Sequence, residues 1–385
     1  MNYLLPLIVL LLFLNTSWVM AGVCILVVVV IFLVNLISRQ ETLLYVPCVM
    51  PGMQTPDQNP EGLRSPAEKN LVYEDVYMDT TDGVRLHAWF ISATPPKPVE
   101  DDQEEGKERT VPVADLRIES KAPTILFCHA NAGNIGLRVP NYAEIVDKLQ
   151  ANVFALDYRG YGCSQGEPSE EGLLEDAMTA WRWLKSASAQ GRIDGDKVFI
   201  FGRSLGGAVA IGLASELSRR QELLQKAGAF MPRGVILENT FVSISAVVDV
   251  LFPLIAFKPL KDRFLRMKWD SISRISSLQV PILFLSGAQD ELIPPSQMQA
   301  LRDSAKRSQL QRFVEFPEGK HNDTWEKGGE EYWTAQESFL KDSIGLERPQ
   351  VESSSSSAAA AQDVPSAGEG SARRRAVPSD TPDAS

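Results

Sequence analysis

The sequence predicts an α/β protein in which a mostly parallel sheet is covered by helices on both faces and is preceded by one transmembrane helix. From residue 124 onward, short apolar runs alternate with helix-like segments, which is typical of a parallel sheet with helical crossovers. A Gly-x-Ser-x-Gly motif at residues 202–206 falls where a strand would meet the next helix. Residues 1–38 contain no charged side chain.

The apolar N-terminal stretch predicts a membrane anchor over residues 4–37. It exceeds the ~20 residues needed to cross a bilayer. It lacks the basic start of a signal peptide and the polar stripe that a buried core helix would need. A proline-rich stalk is predicted over residues 40–70. Arg39 is the basic side chain closest to the anchor, so the positive-inside rule predicts a cytosolic catalytic domain. A glycosylation sequon at residues 322–324 directly follows His321, and a glycan there would crowd this region if the domain were luminal. The cytosolic side is therefore favoured, and the luminal side stays open as the alternative.

The predicted main domain covers residues 72–342 and opens with a hairpin around Asp82-Gly83. An acidic, proline-containing stretch at 95–121 is too polar to fold alone and is predicted to be an exposed loop insertion. The remaining predicted elements are strands at 124–128, 153–157, 198–201, 235–237, 282–285 and 313–316, and helices at 139–149, 171–184 and 205–217. Residues 241–277 interrupt this alternation, which predicts a lid over the carboxyl edge of the sheet. The Ser- and Ala-rich residues 343–385 are predicted to be a disordered tail.

Composition excludes several classes of function. The formal net charge of −11 argues against nucleic acid as a partner, and no basic groove is evident. The cysteines are scattered, with neither paired spacing nor a Cys-x-x-Cys motif. This pattern indicates neither a disulfide framework nor a zinc site, so no metal and no other cofactor is predicted.

Ser204 is the predicted nucleophile. A serine at a sharp strand-to-helix corner has a strained backbone, and Gly202 and Gly206 leave room for neighbouring elements to approach. The backbone N–H of Leu205 then points to the place where an oxyanion would form. The loop after the first parallel strand is expected to supply a second donor, for which the backbone N–H of Asn131 is best placed.

A serine nucleophile needs a base and a carboxylate that orients the base. In the chain order nucleophile, acid, histidine that is typical of α/β hydrolases, only His321 qualifies as the base, because His87 and His129 precede Ser204. Asp290 follows a predicted strand and is the predicted acid. Two alternatives stay open, Glu238 after the preceding strand and Glu291 one residue further on.

Several motifs together resemble one branch of the α/β-hydrolase superfamily. They are His129-Ala-Asn-Ala-Gly-Asn-Ile-Gly, Asp157-Tyr-Arg-Gly-Tyr-Gly, Phe201-Gly-Arg-Ser-Leu-Gly-Gly, Glu238-Asn-Thr-Phe and His321-Asn-Asp-Thr-Trp. The set is similar to the membrane-anchored α/β-hydrolase domain-containing proteins of the bud-emergence-like branch. The resemblance covers residues 72–340 and implies the same triad of Ser204, Asp290 and His321. It implies glycine where this chain has Ala130, and alanine would be strained there if the backbone needed a positive φ.

The predicted function is a membrane-anchored serine hydrolase that cleaves an ester or thioester through an acyl-enzyme on Ser204. Its expected partners are the membrane and an acyl-bearing small molecule, lipid or acylated protein. A serine peptidase and a non-catalytic scaffold on the same fold are the alternatives.

The lid stretch 251–269 interleaves large apolar residues with basic ones, which suggests that the substrate arrives from the membrane side. The basic residues are Lys258, Lys261, Arg263, Arg266 and Lys268. The alternative is a lid that covers a pocket and carries solvated lysines.

Overall fold

The computed structural model describes residues 18–93, 121–224, 230–252 and 258–347. Its strands form a single sheet of eight in the order β1-β2-β4-β3-β5-β6-β7-β8. Strand β2 is antiparallel to both its neighbours, and all pairs from β4 to β8 are parallel. The strands are β1 (Tyr73–Asp79), β2 (Arg85–Ile91), β3 (Thr124–Cys128), β4 (Asn152–Leu156), β5 (Val198–Arg203), β6 (Gly234–Glu238), β7 (Ile282–Gly287) and β8 (Gln311–Phe316). The predicted mostly parallel sheet is therefore confirmed.

Helices cover both faces of this sheet, because its central strands are apolar on both sides. The helices are α1 (Trp18–Ser38), α2 (Gln40–Leu44), α3 (Val139–Leu149), α4 (Glu170–Ala189), α5 (Leu205–Leu224), α6 (Ile244–Leu251), α7 (Lys258–Phe264), α8 (Ser271–Ile275), α9 (Pro295–Ser304), α10 (Thr324–Lys327) and α11 (Gly329–Gly345). One buried cluster joins the sheet to α4 and α5 through Trp181 and Val209. The other joins it to α3 and α11 through Ile145 and Phe339.

Outside the predicted lid, α9 and α11 are the two helices of ten or more residues that are not among the predicted elements. Helix α11 buries Tyr332, Gln336, Phe339 and Ser343. Their spacing of three and four residues is the helical signal that would have indicated it. Helix α9 buries only Gln297, Met298 and Leu301, so its pattern is weaker.

The N-terminal region differs from its prediction. Helix α1 is apolar, and many of its described side chains are exposed, Leu26 and Phe32 each by 62%. Over the described part of the chain, however, no helix is long and apolar enough to cross a membrane. The transmembrane helix predicted over residues 4–37 is thus not found, and residues 4–17 lie outside the described ranges.

Residues 40–70, predicted as a stalk, lie against the domain. Tyr45 is buried and its hydroxyl accepts a hydrogen bond of 3.0 Å from the indole N–H of Trp269 in the lid region. Asn59 is also buried, and its side-chain amide donates to Asn134 Oδ1 at 2.8 Å. These two hydrogen bonds tie the segment to the lid region and to the loop that follows β3.

The predicted lid lies between β6 and β7 and contains α6, α7 and α8. Two of its basic side chains are engaged within the protein: Lys261 pairs with Asp249, and Arg266 pairs with Glu41. Residues 253–257 of the lid lie outside the described ranges, as do residues 95–120 of the predicted insertion and the tail after residue 347.

A buried histidine on β2 sits between two carboxylates. His87 Nε2 lies 2.8 Å from Asp75 Oδ1, and His87 Nδ1 lies 3.6 Å from Asp157 Oδ2. Burial by itself disfavours the charged ring, but hydrogen bonding and charge from Asp157 and Asp75 outweigh it and raise the pKa of His87 to about 9. The imidazole is therefore protonated at neutral pH.

This proton makes the stability of the domain pH-dependent. Because the folded pKa lies above the unfolded value of 6.5, the stabilisation is fully present below that value and is lost as pH rises through about 9. We expect the free energy of unfolding in urea to fall by roughly 3 kcal/mol across this window. His87→Gln should be less stable at pH 6 and should show a flatter dependence. A parallel decline in both proteins would contradict the assignment.

Candidate active site

Ser204 lies at the corner between β5 and α5 with a φ of 54°, the left-handed region that side chains other than glycine rarely adopt. Two hydrogen bonds hold this conformation. The N–H of Ser204 donates to the Glu238 carbonyl at 2.9 Å, and the Thr240 hydroxyl donates to the Ser204 carbonyl at 2.7 Å. The neighbouring strand β6 thus stabilises a strained turn that directs the serine toward the carboxyl edge of the sheet.

The two glycines of the motif are required by close packing. A Cβ on Gly206 would lie 1.9 Å from the carbonyl oxygen of Cys128, and one on Gly202 would lie 2.2 Å from the carbonyl oxygen of Gly206. Both contacts are with backbone, which cannot move aside as a flexible side chain would. The corner can therefore approach β3 only without side chains at these positions.

The structure brings Ser204, His321 and Asp290 together. His321 Nε2 lies 2.9 Å from Ser204 Oγ, and His321 Nδ1 lies 2.8 Å from Asp290 Oδ2. Asp290 Oδ1 accepts backbone hydrogen bonds from Leu292 at 2.9 Å and Ile293 at 2.8 Å, which fix the carboxylate. Since Nδ1–H donates to the carboxylate, Nε2 is free to accept the proton of the serine hydroxyl.

The two alternative acids do not reach the imidazole ring. Glu238 is buried and pairs with Arg203 Nε at 3.0 Å, while the Tyr332 hydroxyl donates to it at 2.7 Å. Glu291 accepts a long hydrogen bond of 3.4 Å from the backbone N–H of His321. Of the three carboxylates, Asp290 is the one in contact with the ring of His321.

His129 has a structural environment. Its ring is buried, lies 4.3 Å from the ring of Tyr158, and donates from Nδ1 to the carbonyl of Ala130 at 2.7 Å. Burial, assisted by the positive charge of Arg138, lowers the pKa of His129 to about 4, so the ring is neutral. Its hydrogen bond orients the loop after β3.

The predicted oxyanion donors lie at the same site. Asn131 and Leu205 line one cavity together with Ser204 and His321. Leu205 is the first residue of α5, where the N–H groups have no partner within the helix and where the helix dipole favours negative charge. The two backbone N–H groups have no acceptor among the described residues, which leaves them available to a bound oxygen.

The N-terminal segment holds the loop of Asn131. Val46 N–H donates to the Asn131 carbonyl at 3.1 Å, and Gly133 N–H donates to the Val46 carbonyl at 2.9 Å. The Asn131 side chain donates to the Leu44 carbonyl at 2.9 Å. The expected strain at Ala130 does not arise, because the positive φ of this loop falls on Gly133 at 69°.

Comparison with known proteins places the chain in a family. A family described as alpha/beta hydrolase fold matches residues 132–250. Over 316 residues, the chain is 39% identical to the alpha/beta hydrolase domain-containing protein WAV2 of Arabidopsis thaliana, covering 80% of this chain and 89% of that protein. It is 34% identical to protein bem46 of Schizosaccharomyces pombe, covering 79% of this chain and 87% of that protein. The chain belongs to the α/β-hydrolase family.

Solved structures agree with this fold. An esterase of Pyrococcus furiosus, Pf2001, matches with a TM-score of 0.52 at 17% identity, covering 73% of this chain and 94% of that one. A puromycin hydrolase matches with a TM-score of 0.51 at 14% identity, covering 73% of this chain and 41% of that one. At such low identities the likeness shows the fold alone.

One residue of this α/β hydrolase that positions the site was not predicted. The Asn239 amide donates to the carbonyls of Lys320 and His321 at 3.0 Å each, and its oxygen accepts from Gly287 N–H at 2.8 Å. Asn239 has a φ of 47°, which asparagine tolerates better than most residues. An asparagine directly after a strand was the available signal. It ties the histidine loop to the end of β7.

A cavity of about 260 Å³ opens above the serine of this α/β hydrolase. Its walls come from the lid helix α6, from the stretch around α7 and from α2 of the N-terminal segment. Most of its lining side chains are aliphatic or aromatic. A substrate at Ser204 would therefore contact mainly apolar surface.

Proposed function

We propose that this α/β hydrolase is a serine hydrolase that cleaves a carboxylic ester or thioester through an acyl-enzyme on Ser204. The observation that carries the proposal is the hydrogen-bonded series from Ser204 Oγ through His321 to Asp290, at the floor of an apolar cavity. Membership of the α/β-hydrolase family supports hydrolysis as the reaction class.

In the first half-reaction, His321 Nε2 takes the proton of Ser204 Oγ as the oxygen attacks the acyl carbon. The carbonyl oxygen becomes negative and accepts hydrogen bonds from the backbone N–H groups of Asn131 and Leu205. His321 then gives the proton to the departing alcohol or thiol. Asp290 stabilises the imidazolium through Nδ1 and does not itself take up a proton.

In the second half-reaction, water replaces the leaving group. His321 Nε2 removes a proton from this water as its oxygen attacks the acyl carbon, and the same two N–H groups stabilise the negative charge. The proton passes to Ser204 Oγ when the ester to the enzyme breaks. The products are a carboxylic acid and the original serine.

Membrane association is the second part of the proposal. Helix α1 exposes apolar side chains along its length, a surface that water disfavours and a lipid interface accommodates. A relative that is 34% identical, from Saccharomyces cerevisiae, carries the name uncharacterized membrane protein YNL320W.

A fluorophosphonate probe tests the nucleophile. We expect the full-length protein to be labelled on Ser204, because the probe phosphonylates a serine oxygen activated by its histidine. Ser204→Ala should lose both labelling and hydrolysis of p-nitrophenyl acetate. The neighbouring Ser286→Ala is the matched control, since its buried hydroxyl lies outside the triad. A non-catalytic scaffold would give no specific label. Because a serine peptidase also hydrolyses this activated ester, the matching p-nitroanilide is assayed beside it, and faster cleavage of the anilide than of the ester would indicate a peptidase.

A further inference from the structure

One face of helix α6 forms a continuous apolar wall of the cavity. Ile244, Val247, Val248 and Leu251 all line it, and their spacing of three and four residues puts them on one side of a helix. Ile244 is buried, whereas Leu251 is 43% exposed. The wall therefore runs from the interior toward the surface over about 10 Å, at 1.5 Å per residue.

A second part of the cavity lining comes from the N-terminal segment, which precedes β1. Leu43 and Leu44 of helix α2 line the same cavity, as does Ile37 at the end of α1. Gln40 fastens this wall to the lid: its amide donates to the Phe264 carbonyl at 3.2 Å, and its oxygen accepts from Arg266 N–H at 2.8 Å. The N-terminal segment and the lid thus enclose the cavity together.

The polar groups along these walls are already engaged. Lys261 Nζ pairs with Asp249 and donates to the Ser245 carbonyl at 3.1 Å. The Gln40 side chain is bonded to the lid on both its oxygen and its nitrogen. The groups left for a reacting ligand are concentrated at the floor, at Ser204, His321 and the loop of Asn131.

We propose that this cavity binds the single aliphatic chain of the acyl group that is transferred to Ser204, with α2 as its outer wall. This inference rests on the proposed hydrolase function and names its substrate class, an ester or thioester of a medium- or long-chain fatty acid. The reactive carbonyl lies at the floor beside the oxyanion donors. The chain extends between α2 and α6 toward the mouth, where Leu251, Phe252 and Leu43 are exposed.

The chain-length dependence of hydrolysis tests this class of substrate. We expect kcat/KM of the full-length protein to rise from p-nitrophenyl acetate through butyrate to octanoate, by up to about fourfold per buried methylene, the equivalent of ~0.8 kcal/mol. A profile that is flat or falls with chain length would overturn the proposal. If Ser204→Ala abolishes acetate hydrolysis while the profile is flat, only the proposal that the cavity binds an acyl chain fails. If Ser204→Ala retains full acetate hydrolysis, the proposed function fails as well.

Two pairs of variants locate the bound acyl chain within the cavity. Val247→Trp fills the wall of α6, and Val250→Trp adds the same bulk to an exposed residue of that helix outside the cavity lining. Leu43→Asp puts a charge on the wall of α2, and Thr42→Asp adds that charge to the adjacent exposed residue. We expect the octanoate-to-acetate ratio of kcat/KM to fall roughly tenfold in the first member of each pair and to keep its wild-type value in the second.

The octanoate-to-acetate ratio is compared between variants that are assayed in the same detergent. Partition of the two esters into detergent is then the same in every assay and cancels from the comparison. Thermal unfolding of all four variants shows whether a lowered ratio comes from a change in the cavity or from a destabilised fold. Equal ratios in a pair whose members are both folded would overturn the assignment of that wall.

Competition identifies the source of the chain. A lysophospholipid and an S-octanoyl peptide are each added during octanoate hydrolysis. Inhibition by either compound supports binding of an acyl chain in the cavity. The compound that inhibits shows whether a lipid or an acylated protein carries the acyl chain that the cavity accepts. If neither inhibits, the proposal fails, because both present the chain that the cavity is proposed to bind.

Discussion

Asp290→Asn is expected to lower kcat of ester hydrolysis by about a thousandfold or more. The carboxylate holds His321 through Nδ1 at 2.8 Å, and an amide can present its N–H to that nitrogen, which stabilises the wrong tautomer and leaves Nε2 unable to accept the serine proton. Folding should change little, because the amide oxygen can still accept the N–H groups of Leu292 and Ile293. Steady-state kinetics together with thermal unfolding measure both effects.

Glu238→Gln is the matched control, since it makes the same chemical change at the other strand-end carboxylate. It weakens the buried pair with Arg203, so we expect the free energy of unfolding to fall by about 3 kcal/mol, with kcat per folded molecule nearly unchanged. The reverse outcome, a silent Asp290→Asn and an inactive but folded Glu238→Gln, would make Glu238 the acid.

Deleting residues 1–46 is expected to lower kcat/KM for p-nitrophenyl acetate roughly a hundredfold compared with deleting residues 1–36. The longer deletion removes the hydrogen bonds from Leu44 and Val46 that hold the loop of Asn131. The shorter deletion keeps them. Because acetate does not fill the apolar cavity, its hydrolysis depends on the oxyanion donor and not on the cavity walls.

The experiment needs a fold control, since the longer deletion also exposes Trp269, which bonds to Tyr45. Tyr45→Phe in the full-length protein removes that hydrogen bond while keeping the loop contacts. We expect it to lose some stability and to retain its rate. If the two deletions were folded and equally active, the N-terminal segment would have no role in positioning Asn131.

Local sequence patterns alone were enough to predict much of the fold. The strand at 124–128 and the helix at 139–149 are found with the predicted bounds, because buried strands and amphipathic helices leave clear periodic signals. The corner at Ser204 was also predicted from the sequence. The motif places glycines two residues before and after the serine, and the Cβ clash at Gly202 is with the backbone of Gly206, within the same turn. The clash at Gly206 is with Cys128 on β3, a contact that appears only in the folded sheet.

The tertiary structure decided what depends on contacts distant in sequence. Asp290 and Glu238 both follow predicted strands, so the sequence pattern makes each a candidate for the acid. In the structure, Glu238 pairs with Arg203 and accepts a hydrogen bond from Tyr332, whereas Asp290 contacts the ring of His321. Gln40, Leu43 and Leu44, at the start of the stretch predicted as a stalk, line the cavity. Gln40 and Tyr45 also bond to lid residues more than 200 positions away. A hydrogen bond between such distant residues leaves no periodicity in the sequence, and only the packed sheet brings its two ends together.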